Sequence, residues 1–354
     1  MSYKFKFNCL NFSLLLFSLL LFQSGYTQKS AKNVKELGIS KFPALDALLV
    51  QNQKPLGSNF VAMVWTDTLV YKKEVGEFES KAVAPIAGAS KWLTAALVMQ
   101  FVDEGKLSLD DKVSQFIPIF ATYNKNYITI RHCLSHMTGI RSEPQGISAI
   151  LKSKYNTLEE EVNEFAKREI SNNPGVEFKY SEVGLSIAGR VLEIISKKKF
   201  DMLIRTKLLV PLGMRQTTFS TLDGSAPNPS TGGQSSANDY IHFLQMLLNN
   251  GMYNGQKILS EAAVKELRKT QVSPEMIKYY PKQATGMSYA LGSWVMDADA
   301  SGQAQALTCP GLFGTWPFVD WEHHYAYLII SKNLITEPNA NIYLQMKDAA
   351  GGQN

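Results

Sequence analysis

The sequence predicts a mixed fold, α/β (α+β), with helices and an antiparallel sheet. Terminal helices flank the sheet, and an all-α lobe is inserted into the chain. Two observations predict it: strand-like segments occur near both ends of the chain, and the segment between them is largely helical. A sheet completed by distant segments leaves the intervening helices to form a lobe of their own. A ligand-binding cleft is therefore expected between the sheet and the inserted lobe.

The composition is that of a globular protein. Of 354 residues, 45% are hydrophobic and 19% are charged, which allows a sizeable core and excludes a disordered chain. We expect one interlocked unit across residues 29–354, with a sheet lobe at about 40–84 and 235–350 and a helical lobe at about 85–234.

The first residues have the pattern of an export signal. Lys4 and Lys6 precede an apolar run from Cys9 to Phe22, and a polar stretch follows as far as Gln28. The run is too short to predict a transmembrane helix. We therefore predict a signal peptide at 1–28 and a periplasmic or secreted protein, attached to a membrane only if the signal stays uncleaved.

Charge and cysteine content restrict the partners. Removal of Lys4 and Lys6 lowers the formal net charge from +5 to +3, which does not favour nucleic acid as a partner. Outside the signal, Cys133 and Cys309 are expected to be free thiols. The five histidines lack the spacing of a catalytic zinc site, so we predict neither a metal nor a cofactor.

The elements follow from periodicity. Phe42 to Leu49 shows helical spacing, and Phe60 to Val75 predicts two strands joined near Asp67. A helix from Ser90 to Glu104 is apolar nearly all round and should be buried on every side. The later predictions are an N-cap at Asp110, a helix at Leu185–Ile195, a loop at Gly224–Gln234, a helix at Asn238–Leu248, strands at Tyr289–Met296, Gln305–Gly311, Thr315–Asp320 and His324–Ser331, and a closing helix at Asn339–Lys347.

A series of motifs runs through the chain in a fixed order. The motifs are PIAGASK (Pro85–Lys91), GKLSLDD (Gly105–Asp111), ITIRHCLSHMTG (Ile128–Gly139), FKYSE (Phe178–Glu182), PLGM (Pro211–Met214), Gly232-Gly233 ahead of Asp239, and CPGLFG (Cys309–Gly314). In this order the sequence resembles the β-lactamase-related serine hydrolases, the group of class C β-lactamases, DD-peptidases and related esterases with the penicillin-recognising fold. The resemblance implies the β-lactamase/transpeptidase-like architecture.

The resemblance also implies a serine and a lysine three residues apart on the first turn of the buried helix, where the lysine assists deprotonation of the hydroxyl. Counting back from Lys91 reaches Gly88, which has no side-chain oxygen. Ser90 lies two positions beyond Gly88, which turns its side chain to roughly the opposite helix face. The nucleophile is therefore expected to be missing.

The other two motifs supply the remaining site residues. Tyr180 matches the family's proton-transfer tyrosine. Glu182 stands where asparagine is usual, and two interpretations stay open: an ion pair with Lys91, or a position at which the family tolerates varied residues. On the third motif, Cys309 is expected to face the site beside Gly311. There it is either a thiol nucleophile or a small packed residue.

The resemblance also assigns an oxyanion hole to backbone amides, here those of Gly88 and Leu312. Trp294 and Trp316 are candidates to line the cleft, although core packing is the better interpretation.

Two functions remain open. The first is a pseudoenzyme that binds a peptidoglycan-like peptide, another acyl compound or a protein partner without acylation, because of Gly88. The second is an active hydrolase of esterase, DD-peptidase or β-lactamase type, in which water, Ser90 or Cys309 attacks while Lys91 and Tyr180 move protons.

Overall fold

A computed structural model describes residues 41–142, 153–333 and 339–351 of the chain. The predicted signal peptide, residues 1–28, lies outside the described residues. From Lys41 onward the chain forms one compact unit. Within the described ranges, no helix is both long enough and apolar enough to cross a membrane.

The secondary structure alternates between short strands and helices. The described strands are β1 (Phe60–Trp65), β2 (Leu69–Val75), β3 (Ala84–Pro85), β4 (Phe178–Lys179), β5 (Gln234–Ser235), β6 (Met252–Tyr253), β7 (Gln256–Lys257), β8 (Ile277–Tyr279), β9 (Ser288–Tyr289), β10 (Trp294–Ala298), β11 (Ala304–Thr308), β12 (Trp316–Asp320) and β13 (Tyr325–Ser331). The described α-helices are α1 (Pro43–Gln51), α2 (Ser90–Asp103), α3 (Val113–Phe116), α4 (Ile119–Thr122), α5 (Ile130–Leu134), α6 (Leu158–Lys167), α7 (Val183–Ser196), α8 (Phe200–Ile204), α9 (Ala237–Leu248), α10 (Glu261–Leu267) and α11 (Ala340–Gly351).

Seven strands form one antiparallel sheet in the order β2-β1-β13-β12-β11-β10-β9. Side chains of a strand alternate between the two faces, and β1 shows this clearly. Val61 and Met63 join the core shared with α9, whereas Phe60, Ala62 and Val64 join the core shared with α1 and α11. The predicted antiparallel sheet flanked by terminal helices is confirmed.

The buried helix α2 connects the sheet to the helical part of the chain. Every residue from Ser90 to Phe101 is buried, as its all-round apolar pattern predicts. Helix α7 packs against α2 and α5, and it approaches α5 closely at Gly184. A Cβ at Gly184 would lie 2.0 Å from the Cys133 carbonyl oxygen, so only glycine fits this crossing.

Most predicted elements occur within a few residues of their expected bounds, but two strand predictions are wrong. The predicted strand Tyr289–Met296 is two strands, β9 and β10, because a tight turn with Gly292 at φ +78° separates them. The predicted strand Gln305–Gly311 ends at Thr308. Pro310 has no amide hydrogen to donate, and the Gly311 amide turns back to the Thr315 carbonyl at 2.7 Å.

The predicted N-cap at Asp110 is also wrong. Asp110 lies in a turn before α3, and its carboxylate accepts a hydrogen bond from Arg131 Nε at 2.9 Å. Lys112 occupies the residue before α3, with no side-chain cap. The Asp110 carboxylate thus pairs with Arg131 instead of capping a helix next to it in the chain.

Candidate functional site

A cavity of about 470 Å³ lies where the start of α2, the end of β4 and the turn after β11 meet. This size suits a small organic molecule. The described lining residues are Ala87, Gly88, Lys91, Ser142, Lys179, Tyr180, Ser181, Glu182, Thr231, Tyr279, Pro281, Gln283, Pro310 and Leu312.

Another depression, of about 540 Å³, is lined by Arg268 and Trp321 and contains none of the predicted site residues. The sequence motifs therefore select the smaller cavity.

Gly88 lies in a single 3-10 turn, Ala87–Ala89, immediately before α2. A Cβ placed on Gly88 would lie 2.5 Å from the Pro310 carbonyl oxygen and 2.9 Å from the Tyr180 hydroxyl. The preceding residue, Ala87, has φ +43°, a left-handed conformation that strains a residue with a Cβ. The backbone at this point is thus both strained and closely covered.

Lys91 projects from the first turn of α2 into the cavity, and the residue is only 1% exposed. Its Nζ donates a hydrogen bond to the Ser230 carbonyl at 3.2 Å and lies 4.5 Å from the centre of the Tyr180 ring. Burial lowers the pKa of Lys91 to about 8, although Cys309 and Glu182 act in the opposite direction. A buried amine with this pKa is partly neutral near pH 8.

Tyr180 follows β4 and lies in an aromatic cluster. The ring of His136 is 4.7 Å from its centre, and that of Trp294 is 5.3 Å away. His136 Nε2 is 3.1 Å from the Tyr289 hydroxyl, and burial holds the pKa of His136 well below its usual value. Burial likewise raises the pKa of Tyr180. The cluster fixes the Tyr180 ring over Lys91 and keeps both His136 and Tyr180 uncharged at neutral pH.

Glu182 lines the cavity and directly precedes α7. The predicted ion pair with Lys91 is wrong: the Glu182 carboxylate pairs with Arg168 at 3.7 Å. Burial raises the pKa of Glu182 despite the Arg168 charge. The second buried carboxylate, Glu161 on α6, has a pKa of about 7 because of burial and then the Glu182 charge. Glu182 therefore belongs to a buried group of charges on the helical side of the cavity.

The expectation that Cys309 and Gly311 face the site is wrong. Cys309 is fully buried outside the cavity lining, and its thiol donates to the Gly88 carbonyl at 3.2 Å. Burial raises its pKa to about 12. A Cβ on Gly311 would lie 2.2 Å from the Ile86 carbonyl oxygen, so this glycine permits a close backbone approach. The neighbours Pro310 and Leu312 line the cavity instead because β11 has ended before this segment.

Ser90 turns away from the cavity, as its spacing predicts. Its hydroxyl is fully buried and accepts a hydrogen bond from the Gly233 amide at 3.0 Å. Trp294 and Trp316 are each 1% exposed and pack in the core, which confirms the core interpretation. Cys133 and Cys309 are free thiols, as expected.

Two residues that line the cavity, Gly88 and Leu312, have backbone amides without an internal acceptor among the described residues. Across the described part of the chain, neither the Gly88 nor the Leu312 amide donates a hydrogen bond. Paired free amides can hold a carbonyl oxygen or an oxyanion. Within the same described ranges, no group of three or more His, Cys, Asp or Glu side chains is placed to hold a metal ion.

Comparison with known families agrees with this geometry. The beta-lactamase family profile matches residues 49–350. The chain belongs to the beta-lactamase family. A protein of Bacteroides dorei DSM 17855 named "putative beta-lactamase" has a similar structure at TM-score 0.74, with 29% identity over 82% of this chain and 90% of that one.

Other similar proteins are more distant in sequence. A penicillin-binding protein homologue from Caulobacter crescentus shares the fold at TM-score 0.75, with 15% identity over 91% of this chain and 100% of that one. Protein flp of Staphylococcus aureus strain MW2 is 26% identical over 58% of this chain and 46% of its own length. The chain therefore matches less than half the length of this curated relative.

Sequence reasoning missed three features of this family site. They are the aromatic support of Tyr180 by His136, the pairing of Glu182 with Arg168, and the Pro310 carbonyl over Gly88. Only the first had a sequence signal, since His136 lies in the motif Ile128–Gly139. The other two depend on how distant segments meet.

Proposed function

We propose that this chain is a non-acylating member of the family that binds an acyl compound or a peptide, such as a peptidoglycan-like peptide, in the 470 Å³ cavity. The observation that carries the proposal is Gly88. It stands three residues before Lys91, and the Pro310 carbonyl occupies the space that a side chain would need. Without a nucleophile in a coupled site, turnover falls on the order of a millionfold.

Neither neighbouring nucleophile compensates for Gly88. The Ser90 hydroxyl is committed to the Gly233 amide, outside the cavity lining. The Cys309 thiol is buried, and with a pKa of about 12 almost none of it is thiolate at neutral pH. Both arguments support binding over covalent catalysis.

The cavity contains groups suited to such a ligand. The amides of Gly88 and Leu312 can donate to a carbonyl or carboxylate oxygen, and Lys91 can donate to the same group. Pro281, Pro310 and other apolar groups offer surface for a hydrocarbon portion. The proposed setting is the periplasm or the exterior, after export; a protein partner is the other occupant to test, and nucleic acid is not proposed.

The test exposes the purified mature protein to benzylpenicillin and to p-nitrophenyl acetate. We expect no acyl adduct on a hydroxyl or thiol group in the mapped peptides and no sustained hydrolysis above the buffer rate, together with a thermal shift from at least one acyl ligand. A stable adduct on Ser90 or Cys309 would contradict the proposal. Matched Ser90→Ala and Cys309→Ala variants show whether either residue carries it.

A water-mediated hydrolase is the second candidate, and Lys91 favours it. An amine with a pKa of about 8 is poised to act as a general base toward a water molecule in the cavity. In that case hydrolysis leaves no adduct, rises between about pH 7 and 9 as the amine loses its proton, and is lost in Lys91→Ala. Absence of turnover across that range rejects this candidate and leaves the binding proposal in place.

A further inference from the structure

Lys91 differs from an ordinary buried lysine in having no carboxylate partner. In the part of the chain that the structure describes, its Nζ makes one hydrogen bond, to the neutral Ser230 carbonyl, and no ion pair. The nearest buried carboxylate of the cavity, that of Glu182, is held by Arg168. The amine is therefore desolvated without being neutralised by a counter-ion.

A reactive amine must also be reachable by a ligand, and Lys91 meets this requirement because it lines the cavity. Lys91 lines an apolar-walled space of about 470 Å³, with the Tyr180 hydroxyl group and the carboxyl group of Glu182 on the same lining. Lys125 provides the contrast. It is also buried, at 4% exposure, and burial also lowers its pKa, but it lines none of the described cavities and donates to the Tyr123 carbonyl.

We propose that Lys91 is a nucleophilic amine that forms an imine with aldehyde or ketone ligands in the cavity. The reaction class differs from acyl transfer to a hydroxyl, so it goes beyond the proposed binding of acyl compounds. Lysines become nucleophiles of this kind when they are desolvated in apolar pockets. The free amides of Gly88 and Leu312 are suited to hold the carbonyl oxygen during attack.

The step requires no oxidant or reductant. The Nζ lone pair attacks the carbonyl carbon, the carbon–oxygen double bond opens, and one proton passes from nitrogen to oxygen to give a carbinolamine. Protonation of that hydroxyl by a neighbouring acid, for which the Tyr180 hydroxyl group on the same lining is available, allows loss of water and formation of the carbon–nitrogen double bond. The nitrogen proton returns to the acid on release of the neutral imine.

The test uses benzaldehyde with sodium cyanoborohydride, which reduces the imine to a stable amine that mass spectrometry detects. Peptide mapping of the wild-type protein at pH 7 should find Lys91 modified on the order of a hundredfold faster than exposed Lys81, because a pKa of about 8 leaves roughly a tenth of the Lys91 amine unprotonated at that pH. Modification should rise with pH and level off above about pH 8 to 9.

The labelling of Lys91, Lys81 and Lys125 can be compared within the wild-type protein, so the test does not depend on whether variants fold. Lys125 should stay unmodified, because its amine is buried without a cavity, and Lys91→Arg should lose the label only at position 91. Modification of Lys91 at the rate of Lys81, or not at all, overturns the inference. Acyl adducts of benzylpenicillin or p-nitrophenyl acetate on a hydroxyl or thiol group would contradict the proposed function instead, so the two failures are distinguishable.

Discussion

The two walls of the cavity differ in what they offer a ligand. On one wall, Lys91, Tyr180 and Glu182 present an amine, a phenol and a carboxyl group, each with a pKa shifted by burial. On the other wall, Gly88 and Pro310 meet backbone to backbone and leave no room for a side chain. An amine, a phenol and a carboxyl group thus lie beside a wall built of closely packed backbone.

The difference teaches that one cavity can combine ionisable groups that are costly to bury with a wall that depends on close backbone packing. The first wall is energetically costly, because a buried amine without a counter-ion loses its hydration. The second wall is closely packed and depends on the absence of a Cβ. Substitutions on the two walls should therefore change stability in opposite directions.

The largest effect on stability is expected for Lys91→Met. The folded-state pKa of about 8 lies below the usual 10.5, so the destabilisation is present in full below pH 8 and disappears as the pH rises toward 10.5. Lys91→Met should raise the free energy of unfolding by about 3 kcal/mol at pH 7. Urea denaturation at about pH 7 and about pH 9.5 should show a smaller gain at the higher pH.

The matched control for that experiment is Lys125→Met. Lys125 is also a buried residue, but burial lowers the pKa of its amine to a smaller extent than that of Lys91. Its replacement should therefore change stability less than Lys91→Met at pH 7. Equal gains at the two positions would contradict the view that the cavity lysine is specially strained.

A smaller effect of the opposite sign is expected on the second wall. Gly88→Ala places a methyl group 2.5 Å from the Pro310 carbonyl oxygen, and a backbone atom cannot rotate away. Overpacking of this kind costs about 2 kcal/mol. Pro310→Ala keeps the carbonyl but frees the φ angle that the proline ring fixes, so the segment can shift and the cost of Gly88→Ala should fall in the double variant.

Denaturation of Gly88→Ala alone and in the Pro310→Ala background measures this coupling. A loss of less than about 0.5 kcal/mol in the free energy of unfolding of Gly88→Ala would contradict this expectation, because it would show that the Pro310 segment shifts readily to accept a methyl group.

The smallest effect is expected one residue earlier. Ala87 adopts φ +43°, so Ala87→Gly removes a left-handed strain of about 1 kcal/mol while making the unfolded chain more flexible. The net gain in thermal stability should be small and positive. A clear loss in thermal unfolding would indicate that the Ala87 methyl group supports the cavity wall by packing.

Local sequence patterns are sufficient to predict much of the site. The helix α2 is predictable because its apolar residues cover every face, and Lys91, Tyr180 and Leu312 lie in short motifs that each bring one residue to the cavity. The turn of Ser90 away from the cleft follows from helix geometry alone. These features depend on residues close together in the chain.

The failures depend on residues that are distant in the chain. The expectation that Cys309 faces the site assumes that β11 continues to Gly311, whereas the strand ends where Pro310 interrupts the hydrogen bonding. The pairing of Glu182 depends on where Arg168 lies after α6 has packed. Gly88 lies against the Pro310 carbonyl, which is more than two hundred residues away in the chain. No local sequence pattern predicts such a contact.

The most direct test of the central claim restores a nucleophile and its space together. The wild-type protein, Gly88→Ser and Gly88→Ser/Pro310→Ala are exposed to p-nitrophenyl acetate, and the intact mass and labelled peptide are measured with thermal unfolding as a control for folding. We predict that the wild type gains no acetyl group on a hydroxyl or thiol and that the double variant gains one at position 88, with the single variant labelled more slowly. Acetylation of a hydroxyl or thiol in the wild type, or a folded double variant that stays unlabelled at position 88, would contradict the claim that only Gly88 and its covering carbonyl separate this site from acylation.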